Sequence, residues 1–228
     1  MGEQESSTVK HALAELGEKA RKLQQFSYDF PAQGDGHFLG LAVSSWIRII
    51  AARSLAIAKL LECSDLDSAL VLVRTHREKC IDLALLCSWT PPQEGALRAH
   101  IFQRLRYMFL ADRNPDIRAN PTLPALETGL RNFERYYPDL YKVTERLDKI
   151  RDHWSGLKAD QRLIKAGITE PKAGKIQNLL SIEVHASLDL AARRECTPDM
   201  IIHTANYVID WIDEVMDRLH LLPGAEQR

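Results

Sequence analysis

The stretch Phe38-Leu-Gly-Leu-Ala-Val-Ser-Ser-Trp-Ile-Arg-Ile-Ile-Ala-Ala-Arg-Ser-Leu-Ala-Ile-Ala-Lys-Leu-Leu61 is apolar nearly all round when wound at 3.6 residues per turn. It carries Arg48, Arg53 and Lys59, which a bilayer would tolerate poorly, so it predicts the central buried helix of a bundle (about 37–62) rather than a membrane span. Outward from it, every long segment places apolar residues three and four apart, and no alternating run is flanked by Asn-Gly or Asp-Gly. The fold class is therefore all-α, a bundle of about seven to nine helices.

Breakers and caps set the boundaries. An amphipathic helix is expected over about 7–25, ended by Pro31, Gly34 and Gly36, so residues 1–35 read as a loosely packed arm, 36–222 as the bundle and 223–228 as a polar tail. Ser64 or Asp65 caps a third helix that Pro91-Pro92 ends, about 65–89. Further helices follow over about 93–112, 123–136 and 139–152, with prolines 115, 121 and 124 forming a connector and His153-Trp-Ser-Gly156 a turn. Thr169 and Pro171 open a helix to about 186, and Thr197-Pro198 opens the last. In that last helix Ile201, Ala205, Val208, Ile212, Val215 and Leu219 form a heptad seam, to be covered by an internal helix or by a second copy in a homodimer.

The 228 residues suffice for one sizeable core, and 30 Lys+Arg against 31 Asp+Glu leave no global field that would draw nucleic acid or an acidic membrane. The polar, acidic start Met1-Gly-Glu-Gln-Glu-Ser6 excludes a secretory signal; it fits a myristoylation pattern at Gly2 but has no basic second anchor. Cys63, Cys80, Cys87 and Cys196 lack zinc spacing, and free thiols imply a reducing cytoplasm. Neither strands with glycine-rich loops nor paired Glu-x-x-His helices occur, so neither a metal nor an organic cofactor is expected. Arg98, Arg104, Arg106, Arg113 and Arg118, interleaved with Phe102, Tyr107 and Phe109, read as a solvated helix with core aromatics rather than a nucleic-acid strip.

Arg74 and Glu78 are the polar residues that most need explaining. At about 100° per residue Arg74 shares a face with Leu70, Val71, Ile81 and Leu85, and Glu78 lies one turn on, so both are predicted to point inward. A buried pair of this kind either ties neighbouring helices together through carbonyls at a helix end or receives an anionic ligand. His185, on one helix side with Asn178 and Ser181, is the candidate third member. Cys80 follows His76 by one turn, but apolar neighbours would raise the thiol pKa rather than activate it.

Arg53-Ser-Leu-Ala-Ile-Ala-Lys-Leu-Leu61, Ala69-Leu-Val-Leu-Val-Arg-Thr-His-Arg-Glu78, His153-Trp-Ser-Gly156 and Leu180-Ser-Ile-Glu-Val-His185 together resemble a bacterial all-helical family of unknown function. That family shows an Arg-x3-Glu helix, a Trp turn and a late Ser-x3-His; the resemblance covers residues 38–190 and marks Arg74, Glu78, Trp154, Ser181 and His185. More distantly the chain is similar to the HEPN superfamily of toxin and defence systems, some members of which cleave RNA without a metal. Their Arg-then-His motif is met here only by Arg146 and His153. The expected function is a binding or regulatory module in a defence or stress setting. The alternatives are a metal-independent ribonuclease using Arg74 with His185 or Arg146 with His153, and a small-anion receptor centred on Arg74.

Overall fold

A computed structural model describes residues 3–29, 37–149, 153–168 and 196–222. Among the described residues there are nine helices and no strand: α1 Glu3–Asp29, α2 His37–Glu62, α3 Leu66–Cys87, α4 Pro92–Ala111, α5 Pro115–Arg118, α6 Leu123–Tyr136, α7 Pro138–Lys149, α8 Ala159–Lys165 and α9 Pro198–Leu219. The all-α expectation is met. The ranges expected for α2 and α6 coincide with those found. The one-turn α5 lies in the proline connector, started by Asn114, whose side chain accepts from the Asp116 amide.

The chain divides into two compact units that do not follow the boundary expected at residue 35. Unit 1 holds residues 1–31, 43–88 and 163–228. The first helix is no loose arm there: α1 packs on α9 and buries Leu16, Ala20 and Leu23 completely. All six residues of the heptad seam of α9 are buried, and α9 packs on both α1 and α3, so the seam is covered within the chain. Each of the leucine, isoleucine and valine side chains among them contributes roughly 1.5–3 kcal/mol by leaving water. Helix α2 is the one described helix long and apolar enough to cross a membrane, and its Val43, Trp46, Ile47, Ile50 and Ile57 are buried in the protein.

Local chemistry explains where the helices of unit 1 begin and stop. Asp65 caps α3 by accepting the Ser68 amide, and Thr197 caps α9 by accepting that of Met200. Helices α2 and α8 end alike: Ser64 (φ 58) and Gly167 (φ 65) adopt the left-handed conformation, and the amides of Asp65 and Ile168 reach back to the carbonyls of Leu60 and Leu163 at 2.9 Å.

Unit 2 holds residues 32–42 and 89–162, with α4, α6 and α7 packed around Leu97, Ile101, Leu130 and Phe133. Its arginines lie over rings: Arg98 on Trp89 and Arg106 on Phe102 at 5.2 Å, and Arg113 on Phe109 at 3.9 Å. Arg106 also reaches Asp148 of α7 at 3.1 Å. The turn expected at 153–156 is present, with Trp154 buried against Trp89 at 5.4 Å. Gly156 (φ 70) permits it, since a Cβ there would lie 3.1 Å from a methyl of Leu147.

Candidate functional site

The inward-facing pair predicted at Arg74 and Glu78 is a surface pair. Their side chains are 40% and 55% exposed, and Arg74 Nε stands 3.8 Å from the Glu78 carboxylate. The face was misplaced by about 100°: the residues of α3 that point inward are Ala69, Val73, His76, Arg77 and Cys80, whereas Val71 is 52% exposed. Ile81 and Leu85 gave a false phase, because residues 80–87 are buried all round. Arg74 consequently offers no buried anion centre.

What α3 carries inward instead is a closed chain of small polar groups. Ser54 of α2 donates its single hydroxyl hydrogen to the Ile50 carbonyl (2.9 Å) and lies 2.9 Å from His76 Nε2. With that hydrogen given to Ile50, the imidazole donates from Nε2 to the serine oxygen, and the Cys80 sulfur lies against the ring, 3.7 Å from Nδ1 and 3.9 Å from Nε2. Burial, helped by the nearby Arg53 charge, lowers the His76 pKa to about 3, and burial pushes the Cys80 thiol far above its ordinary range. Serine, histidine and cysteine thus meet without forming a nucleophile: burial keeps the imidazole and the thiol neutral. The expectation of an inert Cys80 agrees with this environment.

Of the remaining expected residues, Ser181 and His185 lie outside the described residues. Arg146 is exposed on α7. His153 turns Nδ1 back into its own turn, where it accepts the Ser155 amide (3.2 Å) and meets the Ser155 hydroxyl (2.8 Å). Among the described residues no group of three His, Cys, Asp or Glu is placed to hold a metal ion.

The helix-tying role expected of Arg74 falls to Arg218, whose sequence signal is the helical pair spacing of Glu214-x3-Arg218. Its Nε and Nη2 bond the Glu214 carboxylate at 2.8 and 2.7 Å. Nη2 also donates to the Gly167 carbonyl after α8 at 3.0 Å, and Nη1 stands 3.5 Å from the Ser88 hydroxyl that caps α3. These side chains are only 17% and 20% exposed.

The cavity in unit 1 lies elsewhere, as a groove of about 630 Å³ between α1, the end of α2 and the start of α9. Two columns of α1 at four-residue spacing form one wall, Ser6-Lys10-Ala14 and Val9-Leu13-Gly17-Arg21. The buried floor is Leu13, Gly17, Ala58, Leu61 and Ile201. Small residues keep it open: a Cβ built on Gly17 would meet first the Arg21 guanidinium, at 3.4–3.8 Å. Charge is confined to the rim, at Lys10, Arg21, Lys59 and Glu62, the last two paired at 2.9 Å. The sequence signal for this groove was a glycine, Gly17, inside an otherwise helical pattern, where it disfavours the helix by roughly 1 kcal/mol relative to alanine.

No family model, curated protein or solved structure matches the chain.

Proposed function

We propose that this protein is a non-catalytic binding or regulatory module whose ligand site is the groove lined by α1, α2 and α9. The observation that carries the reading is an open volume of about 630 Å³ with an apolar floor. That volume falls within the range of sites for small organic molecules, which are mainly apolar with a few polar groups at the edge. Among the described residues the groove is lined by no histidine and no paired carboxylates. Its one cysteine, Cys196, has its pKa raised by burial and by Asp65 and Asp67, which makes it a poor nucleophile.

The neutral dye Nile red tests the site. Its fluorescence rises on adding the wild-type protein, and Gly17→Leu abolishes the rise by filling the floor. The variant also melts at the same temperature or higher, because removing a mid-helix glycine stabilises by up to about 1 kcal/mol. A folded Gly17→Leu protein that still binds the dye would place the ligand somewhere other than this groove.

A further inference from the structure

We infer that the groove selects ligands with an anionic head on an apolar body, a medium-chain carboxylate being the simplest, and that Arg21 receives the head. The inference rests on the groove being the ligand site. It starts from the charges on the rim. Lys59 is held by Glu62 at 2.9 Å, which leaves Lys10 and Arg21, and among the described residues neither has a carboxylate within ion-pair distance. Glu18, an acid on the same helix that feels the Arg21 charge, is bonded to Lys22 at 2.6 Å.

The two free cations are not equivalent. Arg21 lies one turn beyond Gly17, and its guanidinium folds back over the missing side chain to become part of the groove lining. A larger residue at position 17 would push it out. A planar, permanently charged fork therefore stands at the solvent-exposed edge of an apolar floor. Carboxylate accepts two parallel N–H bonds from such a fork, while the attached chain lies over Leu13, Ala58 and Ile201. An amine head would meet two like charges instead. An alcohol of the same chain length would gain the apolar contact without the charged bond.

Calorimetric titration with decanoate, decanol and decylamine separates these cases in the wild type and in Arg21→Gln. Decanoate binds at least tenfold more tightly than decanol to the wild type, and decylamine binds most weakly. In Arg21→Gln the preference for decanoate falls about tenfold, which corresponds to about 1.4 kcal/mol, while decanol is unchanged. Equal affinities for decanoate and decanol in the wild type, or a preference that survives Arg21→Gln, would overturn the inference and leave the groove intact as a neutral site. If none of the three binds and Nile red is also silent, the groove itself fails as the site.

Discussion

Helices α3 and α9 each carry an Arg/Glu pair one turn apart, and the two pairs have opposite fates. On α3, Arg74 and Glu78 face water with their nearest charged atoms 3.8 Å apart; on α9, Glu214 and Arg218 are about four-fifths buried and bonded at 2.7 Å. The α9 pair has its acid on the N-terminal side, the order that complements the helix dipole, and the α3 pair has the reverse. The larger difference is tertiary. Arg218 finds the Gly167 carbonyl and stands near the Ser88 hydroxyl, so a guanidinium removed from water recovers hydrogen bonds there, whereas among the described residues Arg74 meets only Glu78. Residue type and spacing locate an ion pair; what other segments bring to it decides whether the pair holds anything together.

The greatest expected effect comes from acid, acting on the side of α3 that Arg74 and Glu78 do not occupy. The folded His76 pKa of about 3 lies below the ordinary 6.5, so the unfolded chain binds the extra proton. Stability is fully present above pH 6.5 and declines as pH falls toward 3. The full window corresponds to on the order of 5 kcal/mol, to which His100 of unit 2, lowered by burial to about 4, adds in the same direction. Urea denaturation between pH 7 and 4 measures this, and His76→Gln should flatten the slope. An unaltered slope would mean that the imidazole is not enclosed as described.

Next in size is the contrast between the pairs themselves. Arg218→Met should cost about 2–3 kcal/mol, because it strands Glu214 and the Gly167 carbonyl, while Arg74→Met stays within about 0.5 kcal/mol. Raising the salt concentration should weaken only the α3 pair, since exposed charges are the more strongly screened. Denaturation midpoints of both variants decide it, and equal losses would erase the distinction between the two helices.

How much of this was legible in the sequence differed by element. Helix α2 was readable end to end because its composition is apolar throughout, and the seam of α9 because six residues repeat four and three apart. Helix α3 was readable as a helix but not in its orientation. Its first half offers Leu70, Val71, Leu72 and Val73 in a row, so the phase rested on Ile81 and Leu85 in a stretch buried on every side. Helix α8 was missed because seven residues are too few to display a period. The groove was invisible for another reason: it exists only where Gly17, Ala14 and Ala58, 41 or more residues apart between the two helices, leave the same space empty.

The smallest effect concerns the two helix ends that share one geometry. Gly167 adopts φ 65 at no steric cost, but Ser64 adopts φ 58 with a Cβ, a conformation that costs an L-residue roughly 1–2 kcal/mol. The amides of Ser64 and Asp65 bond the carbonyls of Leu61 and Leu60, as those of Gly167 and Ile168 bond Ile164 and Leu163, so the hydrogen bonds do not distinguish the sites. Ser64→Gly should therefore stabilise the protein, by less than the local strain because glycine also loosens the unfolded chain; a gain of about 0.5–1 kcal/mol is expected. Gly167→Ala should lose about 1 kcal/mol by introducing the strain that Ser64 now bears, with a Cβ 3.4 Å from the Arg218 guanidinium. Opposite signs in the two midpoint shifts are the required result. If Ser64→Gly destabilised the protein instead, the serine side chain would be holding the α2–α3 turn by a contact stronger than the strain, and the two helix ends would not be equivalent.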